Sequence, residues 1–280
     1  MPKLLIIDGH NLLFQMFFGM PSRIINKDGK AIQGTLGFVG ALLKIIRLTE
    51  PTHIVALFDG EHENDRAELN AEYKANRTDY SAVAEEDSPF SQLADVYAAL
   101  DFIKIRHTEA AELETDDVIA SYAMKYGTKM QIVIASFDSD FFQLINDNVT
   151  VLRYRGDKTV ICDCEYIHDK FGISPNQYAD FKSLTGDTSD NIKGADKVGQ
   201  KTAAQLIGQF GMPNNILENA EQISKRSVCE SIKENTERLK VNYRLIKLDD
   251  NAPLPFTAEE LQYKYEGIMT NEVLAGIGLR

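Results

Sequence analysis

The stretch KLLII at Lys3–Ile7 runs directly into an Asp-Gly pair, and this junction decides the fold. A short apolar run bounded by turn residues predicts a buried β-strand. Apolar residues at helical spacing follow over Thr35–Leu48, and a second apolar run, His53–Phe58, ends in another Asp-Gly pair. A strand, a helix and a strand in this order predict a parallel sheet with right-handed crossovers.

The rest of the chain divides into an α/β half and a helical half. Strands are predicted for Phe102–Arg106 and Gln131–Ala135, and a later strand pair for Val149–Leu152 and Thr159–Cys162. After about residue 165 the strand signals fade. The sequence therefore predicts an α/β domain at residues 1–164 and a helical domain at residues 165–280. The helical segments predicted in the second half are Ile167–Phe171, Pro175–Leu184, Lys201–Gln209 and Ile223–Lys247.

The composition is that of a globular protein: 44% of the 280 residues are hydrophobic and 26% are charged. No apolar run reaches the ~18 residues of a membrane span, and Asp8 and His10 interrupt the N-terminal stretch where a signal peptide needs a continuous apolar core. Three cysteines without a C-x-x-C pair argue against zinc and fit a reducing compartment. The net charge of −12 is unusual for a nucleic-acid binder unless carboxylates cluster around cations.

Nine carboxylates follow predicted strands or lie near predicted helix starts. In open parallel sheets, ligands bind outside the carboxyl ends of the strands. Taken singly, an acid in a first helical turn is more often a cap, and an Asp-Gly pair after a strand is often only a turn. Together, nine like charges in one cleft stay ionised only if cations neutralise them. The set is Asp8 and Asp59 after two strands, Asp138 and Asp140 after a third, Glu114, Asp116 and Asp117 at a helix start, and Asp187 and Asp190 near another.

This all-oxygen ligand set favours Mg²⁺ or Mn²⁺ over zinc. Seven to nine carboxylates exceed the needs of one Mg²⁺, so two ions are implied, and two ions ~4 Å apart suit in-line phosphoryl displacement. A phosphatase with an aspartyl nucleophile would need D-x-D after the first strand, where this chain has DGH. A Walker phosphate-binding loop is rejected because Gln200 intrudes in GADKVGQKT and no strand precedes that stretch.

The same glycine-rich stretch fits a helix-hairpin-helix turn. Backbone amides there can approach phosphate closely, the following helix offers its N-terminal N–H groups, and Lys201 adds a charge. Such a turn grips duplex backbone without reading sequence. Taken alone, a simple loop between helices is an equally good interpretation. The residues predicted to contact DNA are Gly194, Lys197, Gly199, Lys201 and Thr202.

The polar segment Asn64–Ser91 is an irregular insertion of the kind that is usually functional or mobile. Its Glu72–Arg77 stretch reads EYKANR. If this stretch is helical, Lys74 and Arg77 are neighbours that could meet a scissile phosphate, and Tyr73 could stack on a base. A solvated basic helix face is the competing interpretation.

In combination, these motifs resemble the flap endonuclease family: the bacterial and phage 5′-to-3′ exonucleases and the N-terminal exonuclease domain of bacterial DNA polymerase I. The matching stretches are LLIIDGHNLLF, AEYKANR, ELETDDVIASYA, ASFDSDFFQLI and LTGDTSDNIKGADKVGQKTA, which occur in the family's order from residue 4 to about 210. The resemblance implies a PIN-like parallel sheet flanked by helices, then a helical subdomain with a helix-hairpin-helix motif at about 183–210.

The resemblance also implies roles for individual residues. One metal group would include Asp8, Asp59, Glu114, Asp116 and Asp117; Asp138 and Asp140 would lie between the metals, and Asp187 and Asp190 would complete the second site. Lys74 and Arg77 would stand in a helical arch, at about residues 61–95, through which the 5′ strand passes. The hairpin would hold downstream duplex, often with a bound K⁺. Asp116, Asp138, Asp140, Lys74 and Arg77 are the expected catalytic residues.

Two features depart from the pattern of the polymerase-attached members. Thr78 stands where they usually have proline after the arginine of the arch motif, which is nearer the phage-like form. In the hairpin, Ala195, Asp196 and Lys197 alter the common GVPGIGEKT, and Asp196 there would weaken phosphate or K⁺ binding. No polymerase segment follows within the 280 residues, so we expect a standalone enzyme.

The predicted function is a two-metal nuclease for 5′ ends and 5′ flaps of branched or nicked duplex DNA in replication and repair. We expect a cytoplasmic, nucleoid-associated monomer with no membrane partner and no small-molecule substrate. Two alternatives stay open. A PIN-like ribonuclease would share the carboxylates but need neither the hairpin nor a second metal group, and a non-catalytic DNA-junction binder would bind tightly without forming a Mg²⁺-dependent product.

Overall fold

The computed structural model describes residues 1–60, 66, 69–76, 78, 80, 83–110 and 113–280, except the side chain of Pro213. The strands are β1 (Lys3–Asp8), β2 (His53–Asp59), β3 (Arg106–Ala110), β4 (Gln131–Ala135), β5 (Val149–Arg153), β6 (Val160–Cys162), β7 (Gly186–Asp187) and β8 (Ile192–Lys193). The first six form one sheet in the order β3-β2-β1-β4-β5-β6, in which only β6 is antiparallel to its neighbour.

Helices cover both faces of this sheet and make up most of the second half. The α-helices in the described residues are α1 (Gly9–Gly19), α2 (Gln33–Thr49), α3 (Leu93–Phe102), α4 (Thr115–Tyr126), α5 (Cys164–Phe171), α6 (Tyr178–Thr185), α7 (Gln200–Phe210), α8 (Pro213–Glu218), α9 (Arg226–Glu234), α10 (Thr236–Ile246) and α11 (Thr270–Gly276). No helix in these described stretches is both long and apolar enough to cross a membrane.

The central strand β1 explains why its sequence is continuously apolar. Leu4 and Ile6 point into one hydrophobic cluster, and Leu5 and Ile7 point into another on the opposite face. Successive side chains of a strand point to opposite faces, so a sheet covered on both sides needs apolar residues at every position. This double covering fixes β1 in the middle of the sheet, and with it the position of the residue that follows.

The first of these clusters continues without a break from the sheet into the helical half. It joins Ile6 of β1 and Phe142 beyond β4 to Leu184 of α6 and Leu206 of α7. The helical half therefore packs directly against the carboxyl end of the sheet, where the candidate site lies.

The C-terminal segment returns to the first half. The N–H of Tyr263 donates to the carbonyl of Thr52 at 2.8 Å, Tyr263 and Tyr265 pack against the second cluster, and α11 packs on α2 and α3. These two tyrosines are therefore packing residues. The end of the chain is thus part of the α/β layer, although the sequence assigned residues 165–280 to a separate helical domain.

Several elements differ from their sequence-based prediction. The third strand lies at Arg106–Ala110, not at Phe102–Arg106, because α3 runs to Phe102 and a left-handed Lys104 turns the chain first. The aspartates after the fourth strand lead into a 3₁₀ helix, Asp140–Leu144, and not into an α-helix. The predicted helical segment Ile223–Lys247 is two helices, α9 and α10, that meet at Asn235.

Candidate metal centre and DNA-binding surface

Three of the predicted carboxylates lie at the carboxyl ends of adjacent strands. Asp8 ends β1, Asp59 ends β2, and Asp138 lies three residues beyond β4. The strands β2, β1 and β4 are neighbours in the sheet and run parallel. The strand order therefore brings these three carboxylates to one end of the sheet, as the sequence predicts.

Asp8 is the buried centre of this group. Its Oδ1 accepts the N–H of Asn11 at 3.2 Å, which caps α1, and its Oδ2 accepts the hydroxyl of Ser136 at 2.7 Å. Burial raises the pKa of Asp8 to about 7, with further contributions from the charges of Asp59 and Asp138, although the hydrogen bonds lower it. Asp8 is therefore a weaker acid than an ordinary aspartate, mainly because it is buried.

Asp59 is more exposed than Asp8, and His10 lowers its pKa. Its backbone N–H donates to Nδ1 of His10 at 3.0 Å, and its Oδ2 lies 3.4 Å from the same nitrogen. Burial would raise the pKa of Asp59, but the hydrogen bond and charge of His10 outweigh burial and lower that pKa to about 2. One nitrogen cannot accept from the amide and donate to the carboxylate at once, so the low pKa belongs to the form with Nδ1 protonated.

Three more carboxylates lie at the start of α4, as predicted. Glu114 is the N-cap residue, and Asp116 and Asp117 are in the first turn. The guanidinium of Arg66 contacts Glu114 through Nη1 and donates from Nη2 to Asp117 Oδ1 at 2.7 Å. The Nζ of Lys74 lies 3.1 Å from Glu114. Two cationic side chains from the segment after β2 therefore hold this helix start.

Asp116 and Asp138 connect the carboxylates electrostatically. Burial raises the pKa of Asp116 well above its ordinary value, and the next largest contribution is the charge of Asp138, followed by those of Lys74 (which lowers the pKa) and Asp8. The Oδ1 of Asp138 accepts the N–H of Asp140 at 2.8 Å. Asp138 is thus the link between the strand-end carboxylates and the rest of the cleft.

A second, buried group contains Asp140, Asp187 and Asp190. One carboxylate oxygen from each lies within 4.8 Å of the others. Asp187 ends the short strand β7 and Asp190 lies in the turn before β8. The expectation that these two residues lie near a helix start is therefore wrong: a two-residue β-ladder between α6 and α7 presents them. Their predicted proximity to each other and to Asp140 agrees with the geometry.

The second group holds a lysine that the sequence analysis missed. Lys182, on α6, donates from Nζ to Asp140 Oδ1 at 2.6 Å and contacts Asp187 Oδ2. Burial raises the pKa of Asp140 to about 7 even though Lys182 lowers it. Burial would also raise the pKa of Asp187, but Lys182 and Ser189 outweigh burial and lower that pKa. Both carboxylates therefore depend on a neighbouring positive charge.

The donor set fits divalent cations. The carboxylates at the strand ends, at the start of α4 and in the buried trio interact electrostatically with one another, and Arg66, Lys74 and Lys182 contact some of them. Oxygen ligands without thiolates suit hard cations such as Mg²⁺ or Mn²⁺.

The basic stretch of the insertion differs from its prediction. Lys74 has a left-handed φ of 56°, so the stretch is not a helix here, and its N–H donates to the carbonyl of Asp190 at 3.0 Å. The ring of Tyr73 is buried against Ile192 and Leu245, so the structure does not support the predicted stacking on a base. Arg77 lies outside the described residues, as does much of the predicted arch.

The glycine-rich stretch forms the predicted turn between two helices. It leads into α7 around an open concavity of about 410 Å³ lined by Thr185 and residues 193–199. The expectation that no strand precedes this stretch is wrong, because the two-residue strand β8 ends directly before Gly194; Gln200 alone now argues against a Walker phosphate-binding loop. A Cβ on Gly194 would lie 2.3 Å from the backbone of Thr185, so only glycine allows this close approach. Gly199 precedes α7, whose first turn carries the exposed Lys201 and the half-buried Thr202.

The tip of the turn carries a mixture of charges. Lys197 has a φ of 64°, and Lys193 lies 3.6 Å from Asp196 at the surface. Ala195, by contrast, is buried in the main core and does not alter the tip as the sequence suggested. Asp196 therefore neutralises part of the positive charge that Lys193, Lys197 and Lys201 bring to this surface.

The family follows from comparison with known proteins. The family described as "5'-3' exonuclease, N-terminal resolvase-like domain" matches residues 3–172, and "5'-3' exonuclease, C-terminal SAM fold" matches residues 173–267. The chain belongs to the 5′-3′ exonuclease family. Thermostable DNA polymerase I of Thermus thermophilus is 32% identical over 253 residues, covering 90% of this chain and 29% of that protein. DNA polymerase I of Bacillus subtilis is 30% identical over 277 residues, covering 98% and 30%. The chain thus spans under a third of the length of these relatives.

Solved structures share the fold. A bacteriophage T5 protein co-crystallised with metal ions aligns with a TM-score of 0.74 at 22% identity, covering 88% of this chain and 90% of that one. The T5 flap endonuclease in a pseudo-enzyme-product complex with DNA and metal ions gives 0.71 at 22%, covering 88% and 89%. The catalytic core of Rad2 in complex with DNA substrate gives 0.58 at 14%, covering 99% and 92%. The predicted α/β sheet followed by a helical part is therefore confirmed.

Sequence reasoning found the acids but missed the groups that hold them. Ser136 connects Asp8 to Asp138, since its hydroxyl donates to the former and accepts the N–H of the latter at 2.9 Å. Arg66 and Lys182 each bridge two carboxylates. A weak signal existed for Lys182, because it is a lysine among the apolar residues of a helix that ends close to two predicted ligands.

Proposed function

We propose that this protein is a structure-specific 5′ nuclease that hydrolyses phosphodiester bonds at 5′ ends and 5′ flaps of duplex DNA. The observation that carries the proposal is the placement of carboxylates at the ends of two adjacent parallel strands, at the start of α4 and in the buried trio Asp140, Asp187 and Asp190, with charge interactions through Asp138 that link these groups. Family membership supports it, because enzymes with these two domains include the exonuclease portion of DNA polymerase I.

The residues divide into two candidate ion-binding groups. The first would comprise Asp8, Asp59, Glu114, Asp116 and Asp117, and the second Asp187 and Asp190, with Asp138 and Asp140 between them. Two Mg²⁺ or Mn²⁺ ions bound there would activate water and stabilise the charge that develops on the phosphate. The donor set favours these ions, because it offers hard oxygen ligands at two places in one cleft.

The chain's own residues position the cleft. Ser136 orients Asp8, Ser189 orients Asp187, and Arg66 fixes the start of α4. Lys74 lies at the junction of the two groups, since its Nζ contacts Glu114 and its backbone contacts Asp190. This position suits a cation that stabilises negative charge on a phosphate oxygen. Arg77 is proposed to assist it from the arch.

The hairpin is proposed to hold the duplex on the far side of the cut. The amides at the start of α7 and the side chain of Lys201 would contact phosphates without reading bases. Carbonyls of the same turn are candidate ligands for K⁺, weakened in this chain by the ion pair of Lys193 with Asp196. We propose a monomer that acts on DNA in the bacterial cytoplasm during replication and repair.

The test is cleavage of a labelled 5′-flap duplex with and without Mg²⁺, with the products sized. The proposal expects Mg²⁺-dependent products ending in a 5′ phosphate, and no product with a chelator. Single-stranded RNA serves as the comparison substrate. Preferential cleavage of that RNA would favour the PIN-like ribonuclease, and tight flap binding without any cleavage would favour the junction binder.

A further inference from the structure

Lys182 occupies the centre of the second carboxylate group. Its side chain is 8% exposed, and its Nζ donates to Asp140 Oδ1 at 2.6 Å, contacts Asp187 Oδ2 and lies 3.3 Å from Ser139 Oγ. An ammonium has three donors, and these three partners use all of them. Lys182 is therefore a fully bonded buried cation that lies between two of the three oxygens proposed to bind a divalent ion.

The carboxylates that Lys182 contacts have little freedom to bind the ammonium and a divalent ion through the same oxygens. Asp187 is fixed from its other side, because its Oδ1 accepts the N–H of Ser189 at 2.9 Å and its hydroxyl at 2.5 Å. A divalent ion that binds Asp140 Oδ1 or Asp187 Oδ2 must share that oxygen with the ammonium, and an ion on another oxygen of the group would still lie close to a buried positive charge.

The charges of the second group also indicate that Lys182 opposes a divalent ion. Asp140, Asp187 and Asp190 place three carboxylates in one small volume, and Lys182 contacts two of them. Like charges in the same small volume repel, and a buried cation next to a site weakens the binding of another cation there. Lys182 thus relieves the repulsion among the acids while opposing the ion that would replace it.

We propose that Lys182 is a built-in cation that competes with the divalent ion for the second group. It keeps the acids together when that ion is absent and lowers the affinity for the ion, so that the second group fills after the first. This inference rests on the proposed two-metal function and concerns the regulation of the same site. A purely structural lysine would instead make the variant bind the ion more weakly or equally.

The experiment is a titration of the metal-free full chain with Mn²⁺ alone, without DNA, in which bound ions are counted by electron paramagnetic resonance. Lys182→Met removes the charge and keeps an apolar stem of similar length. The expected result is at least about tenfold tighter binding of the weaker ion than in the wild type, since one opposing unit charge is lost. Lys240→Met, which removes an exposed lysine paired with Glu237, is the matched control and should bind as the wild type does.

Thermal melts with and without saturating Mn²⁺ supply a second measurement. Without Mn²⁺, Lys182→Met should melt below the wild type because its acids repel; with Mn²⁺ it should melt at or above the wild type. A structural salt bridge would lower both values. Lys182→Arg keeps the charge and should retain the wild-type affinity. If the methionine variant does not fold without ions, Lys182→Gln takes its place in the titration.

The outcomes separate this inference from the proposed function. Two bound ions in both proteins, with equal or weaker affinity in the variant, would overturn the inference and leave the two-metal nuclease standing. A single bound ion in wild type and variants alike would overturn both. Tighter binding of the second ion in Lys182→Met, but not in Lys182→Arg or Lys240→Met, would establish the role of this lysine.

Discussion

Replacing Asp140 with asparagine should abolish cleavage while leaving DNA binding intact. Asp140 is buried, its carboxylate lies within 4.8 Å of Asp187 and Asp190, and it interacts electrostatically with Asp138. Asparagine keeps the size of the side chain and removes one negative charge from the place where both proposed ion sites meet. The perturbation is therefore electrostatic and barely changes packing.

The magnitude follows from the size of the group. A cation held among these oxygens is separated from the Asp140 charge by about 4 Å, which at an effective dielectric constant near 20 corresponds to roughly 4 kcal/mol for each unit of charge. A loss of that size is on the order of a thousandfold in the ion's affinity or in the rate. DNA binding should persist or strengthen, because the cleft becomes less negative toward phosphate.

The assay is single-turnover cleavage of a 5′-flap duplex at saturating enzyme, with binding measured separately in Ca²⁺ by fluorescence anisotropy. The matched control is Asp180→Asn. It makes the same chemical change at a second buried aspartate, which lies on α6 and belongs to neither carboxylate group. The control should cleave within about threefold of the wild type. A rate for Asp140→Asn within about tenfold of the wild type would refute the assignment of Asp140 to the ion-binding cleft.

Three further predictions concern stability and binding. Burial raises the pKa of Asp180 to about 6 from an ordinary 3.8, so its contribution to stability is present below about pH 4 and is lost as the pH rises through 6. In urea unfolding, the wild type should therefore lose up to about 3 kcal/mol of stability relative to Asp180→Asn between pH 4 and pH 8. Parallel curves of stability against pH for the two proteins would contradict this prediction. Lys201→Ala should weaken binding to all duplex sequences alike and reduce the salt slope by about one, whereas a sequence-selective loss would count against a backbone contact. Tyr73→Ala should cost about 3 kcal/mol of unfolding free energy and Tyr73→Phe little, because the ring is core; a stability unchanged by the alanine would restore a surface role for this residue.

The sheet could be predicted because its signals are local. An apolar run ending in aspartate identifies both the strand and the side chain at its carboxyl end, as in β1 with Asp8 and β2 with Asp59. The third strand was misplaced because FIKIR looks like a strand while RHTEA does not. In the structure, β3 pairs only with β2 at the border of the sheet, so its polar residues can face solvent and leave no apolar pattern.

The acidic residues of the candidate site could be predicted from the sequence, but the basic side chains that contact them could not. Acids concentrate at chain positions that parallel topology brings together, whereas the partners of Arg66 and Lys182 depend on the tertiary fold. Arg66 reaches acids 48 and 51 residues away along the chain, and Lys182 reaches one 42 residues away. The spacing of apolar and polar residues along the chain does not indicate such long-range contacts. The prediction that Tyr73 stacks on a base was not supported for a related reason. A polar stretch that looks exposed in the sequence can still bury one aromatic ring against a distant helix.

The acidic net charge and the proposed DNA substrate are compatible because charge is partitioned within the molecule. Two divalent ions would bring the formal charge only from −12 to −8, so ions alone do not make the chain attractive to DNA. Attraction must come from local features: amides at the start of α7, Lys197 and Lys201 at the hairpin, and the ion-filled cleft. The free cleft would repel phosphate, because the buried trio Asp140, Asp187 and Asp190 and the strand-end carboxylates place negative charge where the DNA backbone must bind. Ion binding is therefore coupled to substrate binding as well as to chemistry, because the same charges that activate water also remove the repulsion that keeps the backbone out.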